Sequence, residues 1–310
     1  MDYELYHDES KEHGYWHGIL LVPIVTKSLI INHLEQVRLY VGYEYPLRFT
    51  KIDAVDRKFD CSEAWLDFAI GSMVTKFNSK YPHQICTGEK VQGKKQYAIF
   101  DDIVNRHSLG LKFILFRDRD RFGNMYDSLD YGGKVETSFR AAAKGGLHYL
   151  FSEDNHARIV KIHFDGHEHY HRNVDPDRIV GRLNGLRSYC HLIENCPIDD
   201  RTSDHRENHR QEYDDCQLLQ LTDLFVGSFR TAFGFLGQGK IQAQKALAQP
   251  VKELVKRYKQ GYARMQNSRW RNSFCMSESF IEDNKWQFQD LEYADSLKKR
   301  QFNLWDDSMD

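Results

Sequence analysis

The residues of this chain best suited to chemistry are acids placed where strands end. Asp8 and Glu9 close the alternating stretch Tyr3-Glu4-Leu5-Tyr6-His7, Asp118 follows an apolar run over 111–116, and Asp165 follows another over 158–164. Sites in open α/β sheets form beyond the carboxyl ends of the strands. A fifth acid, Asp223, stands inside an apolar helical run beside Leu221, Leu224 and Phe225. An unpaired carboxylate buried there costs free energy, which a metal ion or an ordered partner would offset. Mg²⁺ and Mn²⁺ prefer carboxylate oxygens and keep waters. Two such ions, about 3.5–4 Å apart, can clamp the attacking and leaving oxygens of a phosphodiester. The metal candidates are therefore Asp8, Asp165, Asp223 and Asp118. The catalytic candidates are Asp8, Glu9, Asp165 and Asp223. The plainer reading is that these acids cap strands and helices.

The elements that would position them follow from periodicity. Strands are predicted over 3–7, 15–25, 47–52, 111–116 and 158–164. Helices are predicted over 30–41, from a Ser62 cap to about 77, over 134–151, over 179–189 and over 216–233. Residues 79–110 read as an irregular insertion and 198–215 as a charged, solvated loop. The tail from 233 reads as a mostly helical extension. The order β-β-β-α-β-α-β-α predicts an α/β fold with a mixed sheet flanked by helices. The domains expected are a core over 1–232 and a C-terminal extension over 233–310.

That order, with an acid closing the first strand, resembles the ribonuclease H-like fold and its five-stranded mixed sheet. The stretches Tyr6-His7-Asp8-Glu9-Ser10 and Leu218-Leu219-Gln220-Leu221-Thr222-Asp223-Leu224-Phe225 are more specifically similar to two signatures of the family catalogued as domain of unknown function 3800. Asp165 matches the late strand-end acid of that family. Lys11 stands where the family usually has Gly, and Thr222 where it commonly has Ala. Of a Glu-x-Lys signature near the third strand, only Lys51 is present. The resemblance implies a metal-dependent, nuclease-like site in a defence or mobile-element setting, with Mg²⁺ or Mn²⁺ as cofactor. Ser10, Gln220 and His167 are accessory candidates. The alternative is a non-catalytic module that binds nucleic acid or protein on the same fold.

Other motifs compete. His167-Glu168-His169-Tyr170-His171 fits H-E-x-x-H, which on a helix would make a zinc hydrolase with His167 and His171 as ligands. Gly166 before it and Pro176 after it leave little room for that helix. The stretch 234–240 nearly matches a phosphate-binding loop, but Ile241 stands where Ser or Thr should hold Mg²⁺. For a nucleic-acid partner, the basic candidates are Arg117, Arg119, Lys256, Arg257, Lys259 and Arg264. The last four lie in a segment interleaved with Tyr258, Tyr262 and Trp270. Basic groups meet phosphates and aromatic rings stack on unpaired bases. The same segment also reads as an amphipathic helix with its charges in water.

Composition sets the outer limits. With 310 residues and 41% hydrophobic content, the chain can bury a core without staples. A net charge of -2 excludes a general polycation, so nucleic acid would need a local basic patch. The six Cys include no C-x-x-C pair, and the first residues lack a signal-peptide layout. A cytoplasmic protein with no membrane partner is expected. A homodimer or a protein partner stays open.

Overall fold

The structure is a computed structural model, and it describes residues 1–53, 56–73, 84–91, 94–99, 109–120, 131–165, 176–183, 185–204, 213–237, 240–259, 273–283 and 285–294. Its centre is a mixed sheet of eight strands. These are β1 (Asp2–Ser10), β2 (Tyr15–Pro23), β5 (Lys112–Asp118), β6 (Ala157–Asp165), β7 (Cys190–Leu192), β8 (Ile198–Arg201), β9 (Phe274–Glu282) and β10 (Lys285–Asp290). The strand order is β10-β9-β5-β2-β1-β6-β7, with β8 also on β6. A separate hairpin joins β3 (Gln84–Val91) to β4 (Lys94–Ile99).

β1, β2 and β5 form an antiparallel meander, while β6 runs parallel to β1 and β9 parallel to β5. Every residue of β2 is buried, as its continuous apolar run requires when both faces of a sheet are covered. Tyr6, Trp16, Leu20 and Val22 point into one core, shared with helices α1 (Ile24–Val41), α2 (Arg57–Met73) and α5 (Tyr213–Ala232). The short helices α6 (Ile241–Leu247) and α7 (Gln249–Lys259) join that side. Tyr3, Leu5, Ile19 and Leu21 alternate into the opposite core, under α3 (Tyr131–Leu150) and α4 (Pro176–Leu183).

The α/β class and the mixed sheet agree with the sequence reading; several details do not. Among the described residues the sheet has eight strands, where five are expected. Among its described residues the tail after 232 carries two strands as well as two short helices, and these strands, β9 and β10, extend the central sheet beyond β5. Strand pairing supplies the stability there, and the partner lies about 160 residues away in sequence. The charged stretch at 198 begins with β8, a parallel partner of β6, rather than a solvated loop. The insertion near 79–110 contains the β3–β4 hairpin. Helix α2 starts at Arg57, so Ser62 lies within it and donates to the Lys58 carbonyl instead of capping. Helix α4 stops at Leu183 rather than Tyr189.

The third predicted strand, 47–52, is a single 3₁₀ turn over Phe49–Lys51. Its amides do not enter a sheet ladder. Leu47 N donates to Gln220 Oε1 at 2.9 Å and Phe49 N to Asp223 Oδ2 at 2.7 Å. Side chains of α5 satisfy this backbone, so an extended sequence pattern yields a turn.

Candidate functional site

The site is built on three elements. On β1, alternate residues Glu4, Tyr6 and Asp8 share a face. On β6, His163 and Asp165 do the same. The parallel register pairs Tyr6 with His163 and ends at His7 with Phe164; Asp8 and Asp165 are the residues that follow this last pair on the two strands. Helix α5 crosses this face and brings Asp223 down from above. Its approach is close: a Cβ on Gly227 would run into the Phe49 ring, and a Cβ on Gly18 into Val226. The two glycines let the helix, the 3₁₀ turn and the sheet come together.

Asp8, Glu9, Asp165 and Asp223 line one cleft of about 350 Å³. Arg48, Thr50, Thr202, Ser203 and Arg230 form much of the remaining wall. Asp8 is buried, and its carboxyl is held well above the ordinary range. Burial is the main cause, followed by the charges of Asp223 and Asp165; the Glu9 amide works the other way. Asp223 is pushed up to about 6, again by burial first and by Asp165, against the Phe49 N–H, Arg48 and Arg230. These acids resist ionising together in the absence of a cation.

Backbone and amide groups fix the cleft. Asp165 Oδ1 accepts from Ser203 N at 3.0 Å. Gln220 lies one turn before Asp223; it donates to the Ser203 carbonyl at 2.6 Å and accepts from Arg38 Nη2 at 2.5 Å. It therefore ties the loops carrying Ser203 and Leu47 to α5 as a positioning residue. Ser10 accepts from Arg230 Nη1 at 2.6 Å, and the same nitrogen lies 2.5 Å from Glu12 Oε2. Glu9 Oε2 accepts a hydrogen bond from Tyr15 Oη.

Other predicted residues lie elsewhere. Asp118 is fully buried at the end of β5 and accepts from Ser138 Oγ at 2.8 Å and Asp120 N at 3.2 Å. It does not line the cleft, and its role is that of a buried cap. Arg117 is also buried: it pairs with Glu278 at 3.2 Å, donates to the His13 carbonyl and lies over the Phe235 and Trp16 rings. It is not presented to a nucleic acid. Arg119 lies over Phe280, with Glu278 at 3.9 Å. Lys256 and Lys259 are exposed on α7, and Lys259 donates to the Leu291 carbonyl. The Arg257 side chain, Arg264, His167 and the whole H-E-x-x-H stretch lie outside the described residues.

No protein-family profile, curated protein or solved structure matches this chain.

Sequence reasoning passed over Arg48 and Arg230. Arg230 had a usable signal, since Asp223, Gly227 and Arg230 stand at i, i+4 and i+7 on one helical face. Arg48 had none, because its segment reads as a strand. A second cluster also went unread. Glu4 Oε2 takes Lys27 Nζ at 2.7 Å, His163 Nε2 at 2.9 Å and the Tyr6 hydroxyl at 2.6 Å. Asp215, in the first turn of α5, takes Lys27 Nζ and the Tyr6 hydroxyl, each at 2.7 Å. Burial works to raise the Glu4 carboxyl, but the His163, Lys27 and Tyr6 hydrogen bonds hold it far below the usual carboxylate range.

No helix among the described residues is long and apolar enough to cross a membrane.

Proposed function

We propose that the chain is a metal-dependent phosphodiesterase acting on nucleic acid, with Asp8, Asp165 and Asp223 as the cation-binding carboxylates. One observation carries this reading. Three acids from two strands and a helix face one cleft, and Asp8 and Asp223 are held high by burial first and then by neighbouring carboxylate charge. An arrangement this costly to the metal-free protein is a marker of function. The donor set is all oxygen, which suits Mg²⁺ or Mn²⁺. The antiparallel meander β5-β2-β1 followed by parallel β6 supports the finer reading of the core as ribonuclease H-like, and with it the family resemblance.

Bound Mg²⁺ or Mn²⁺ would supply Lewis acidity towards a phosphoryl oxygen. The chain's own groups do the rest. Asp8 and Asp165, each following the last paired residue of neighbouring strands, would hold the cation. Phe49 N–H fixes Asp223 in its rotamer, and Ser203 N–H fixes Asp165. Arg48 and Arg230 meet the phosphate from the cleft wall with charge-assisted hydrogen bonds.

The test is cleavage of labelled single-stranded and duplex DNA, RNA and hybrid with Mn²⁺, Mg²⁺ or EDTA, beside Asp8→Asn. Metal-dependent cutting absent from the variant is the expected result and also identifies the substrate. A second reading, a binding module without catalysis, is favoured by spacing. Among the described residues, the trio of ligating atoms lying within 4.8 Å of one another belongs to Glu4, His163 and Asp215, not to the cleft acids. Binding of nucleic acid with no cutting in any lane would select it.

A further inference from the structure

The turn that fixes Asp223 also gathers positive charge. Its first amide, Phe49 N, donates to Asp223 Oδ2 at 2.7 Å, and its last carbonyl, that of Lys51, accepts from Lys58 Nζ at 3.0 Å. Lys58 stands at the start of α2 and is only 9% exposed. An ammonium carries three donors, and the Lys51 carbonyl takes one. Among the described residues no carboxylate lies within ion-pair distance of Arg48, Lys51 or Lys58. Asp53, the acid nearest to Lys51 in sequence, is taken by Lys240. Asp56 Oδ1 lies 3.5 Å from the Lys58 amide nitrogen, and its charge draws on the ammonium only from farther off. Burial holds Lys58 below the usual lysine range; the charges of Lys51 and Arg48 add to that, against Asp56 and Asp223. Arg48 and Thr50, on either side of Phe49, line the acid cleft. Cations thus crowd one side of the cleft as acids crowd another. Lys51 is exposed and alone would be a solvated lysine. Lys58 is not in water, and a buried ammonium without a carboxylate costs free energy that an anion would offset.

We propose that Lys51 and Lys58, with Arg48 shared at the cleft wall, form a second phosphate subsite, which holds the backbone phosphate next to the scissile one. Resting on the phosphodiesterase reading, it narrows the substrate to a polynucleotide strand, because a lone phosphate ester would fill the cleft and leave the subsite empty. Lys51, at the surface, meets the phosphate. Lys58 fixes the turn through the Lys51 carbonyl and adds a charge that salt screens poorly, because it is buried. Lysines meet phosphates as point charges and read no bases, so strands of any sequence should bind alike.

The experiment uses the full chain carrying Asp8→Asn, in EDTA, so that strands are bound and not cut. Binding of labelled single-stranded oligonucleotides is followed by fluorescence anisotropy across a salt series. Adding Lys51→Gln should lower the slope of log K against log salt by about 0.7, equally for unrelated sequences. Lys58→Met should weaken binding as well. Circular dichroism checks that it folds, and Lys51→Gln, at an exposed position, carries the test if it does not. Lys144→Gln, exposed on α3 across the sheet, removes the same charge from the chain and should leave the slope unchanged. A nucleoside monophosphate should displace the strand only at far higher concentration. The proposal is overturned by a slope that Lys51→Gln does not change, by an equal fall with Lys144→Gln, by displacement at matched concentration of the monophosphate, or by no binding of the strand. Failure of the nuclease reading looks different: wild type cuts in no metal lane, while the effect of Lys51→Gln on the slope persists.

Discussion

Two acid clusters stand on the same three elements of this protein and are balanced in opposite ways. Near the start of β1, Glu4, Asp215 and His163 surround Lys27 and the Tyr6 hydroxyl, and the carboxylates are held low. At the other end of the same face, Asp8, Asp165 and Asp223 crowd together, and Asp8 and Asp223 are held high. The difference lies in the cation supplied by the chain. Lys27 touches both carboxylates of the first cluster at 2.7 Å, whereas Arg230, the buried cation beside the second, is engaged by Glu12 and Ser10. The first cluster stabilises the junction of β1, α1 and α5. The second is kept by the fold at a cost, and the functional proposal rests on that cost.

The strongest way to break this contrast is to remove Asp8. If the open cluster holds catalytic metal, Asp8→Asn should lower the metal-dependent cleavage rate on the order of 10³-fold, with unchanged far-ultraviolet circular dichroism. Removing the internal cation from the closed cluster should act on stability instead. Lys27→Met takes the ammonium from Glu4 and Asp215 while their Tyr6 and His163 contacts remain, and should cost about 3 kcal/mol in urea unfolding. A neutral effect would show that Lys27 does not balance the cluster.

Smaller effects sharpen the comparison. Gly227→Ala drives a methyl into the Phe49 ring and should cost about 2 kcal/mol, because the turn donating to Asp223 must move. Asp223→Asn should do the reverse in metal-free protein: at pH 7 it removes a charge that burial and Asp165 disfavour and should add about 1–2 kcal/mol. Saturating Mn²⁺ should cancel that gain.

The pH dependence separates the clusters by sign. Glu4 is held low, so its contribution is present above about pH 4.5 and is lost as the pH falls below that value. Asp223 is held high, so the folded state binds the extra proton, and stability falls as the pH rises from 3.8 to about 6. Urea midpoints measured across pH 3–7 on wild type and Asp223→Asn should differ in slope within that upper window. Parallel curves would remove the open cluster as a source of strain.

Much of this was legible in the chain. The alternation that ends at Asp8, the β-branched run before Asp165 and the apolar helix around Asp223 are local patterns, and β1, β6 and α5 form where those patterns lie. The acids of the cleft could be named because strand ends and an acid in an apolar helix are visible without partners. Asp118 satisfied the same rule and failed, because Ser138, on a helix that packs beneath its strand, takes up its carboxylate. Arg117 failed likewise: Glu278, 161 residues later, buries it.

What the sequence by itself determined is where strands and helices begin along most of the core, since side-chain periodicity and chain stiffness act over a few residues. Only the tertiary structure decided which charges are balanced. Lys27 meets Asp215 across 188 positions, and β9 becomes a strand because β5 offers it a free edge. Phe49 leaves the strand pattern because Asp223 and Gln220 satisfy the amides of its segment. Electrostatic and hydrogen-bond partners are chosen by proximity in space, and no local pattern records which carboxylate will find a cation already waiting.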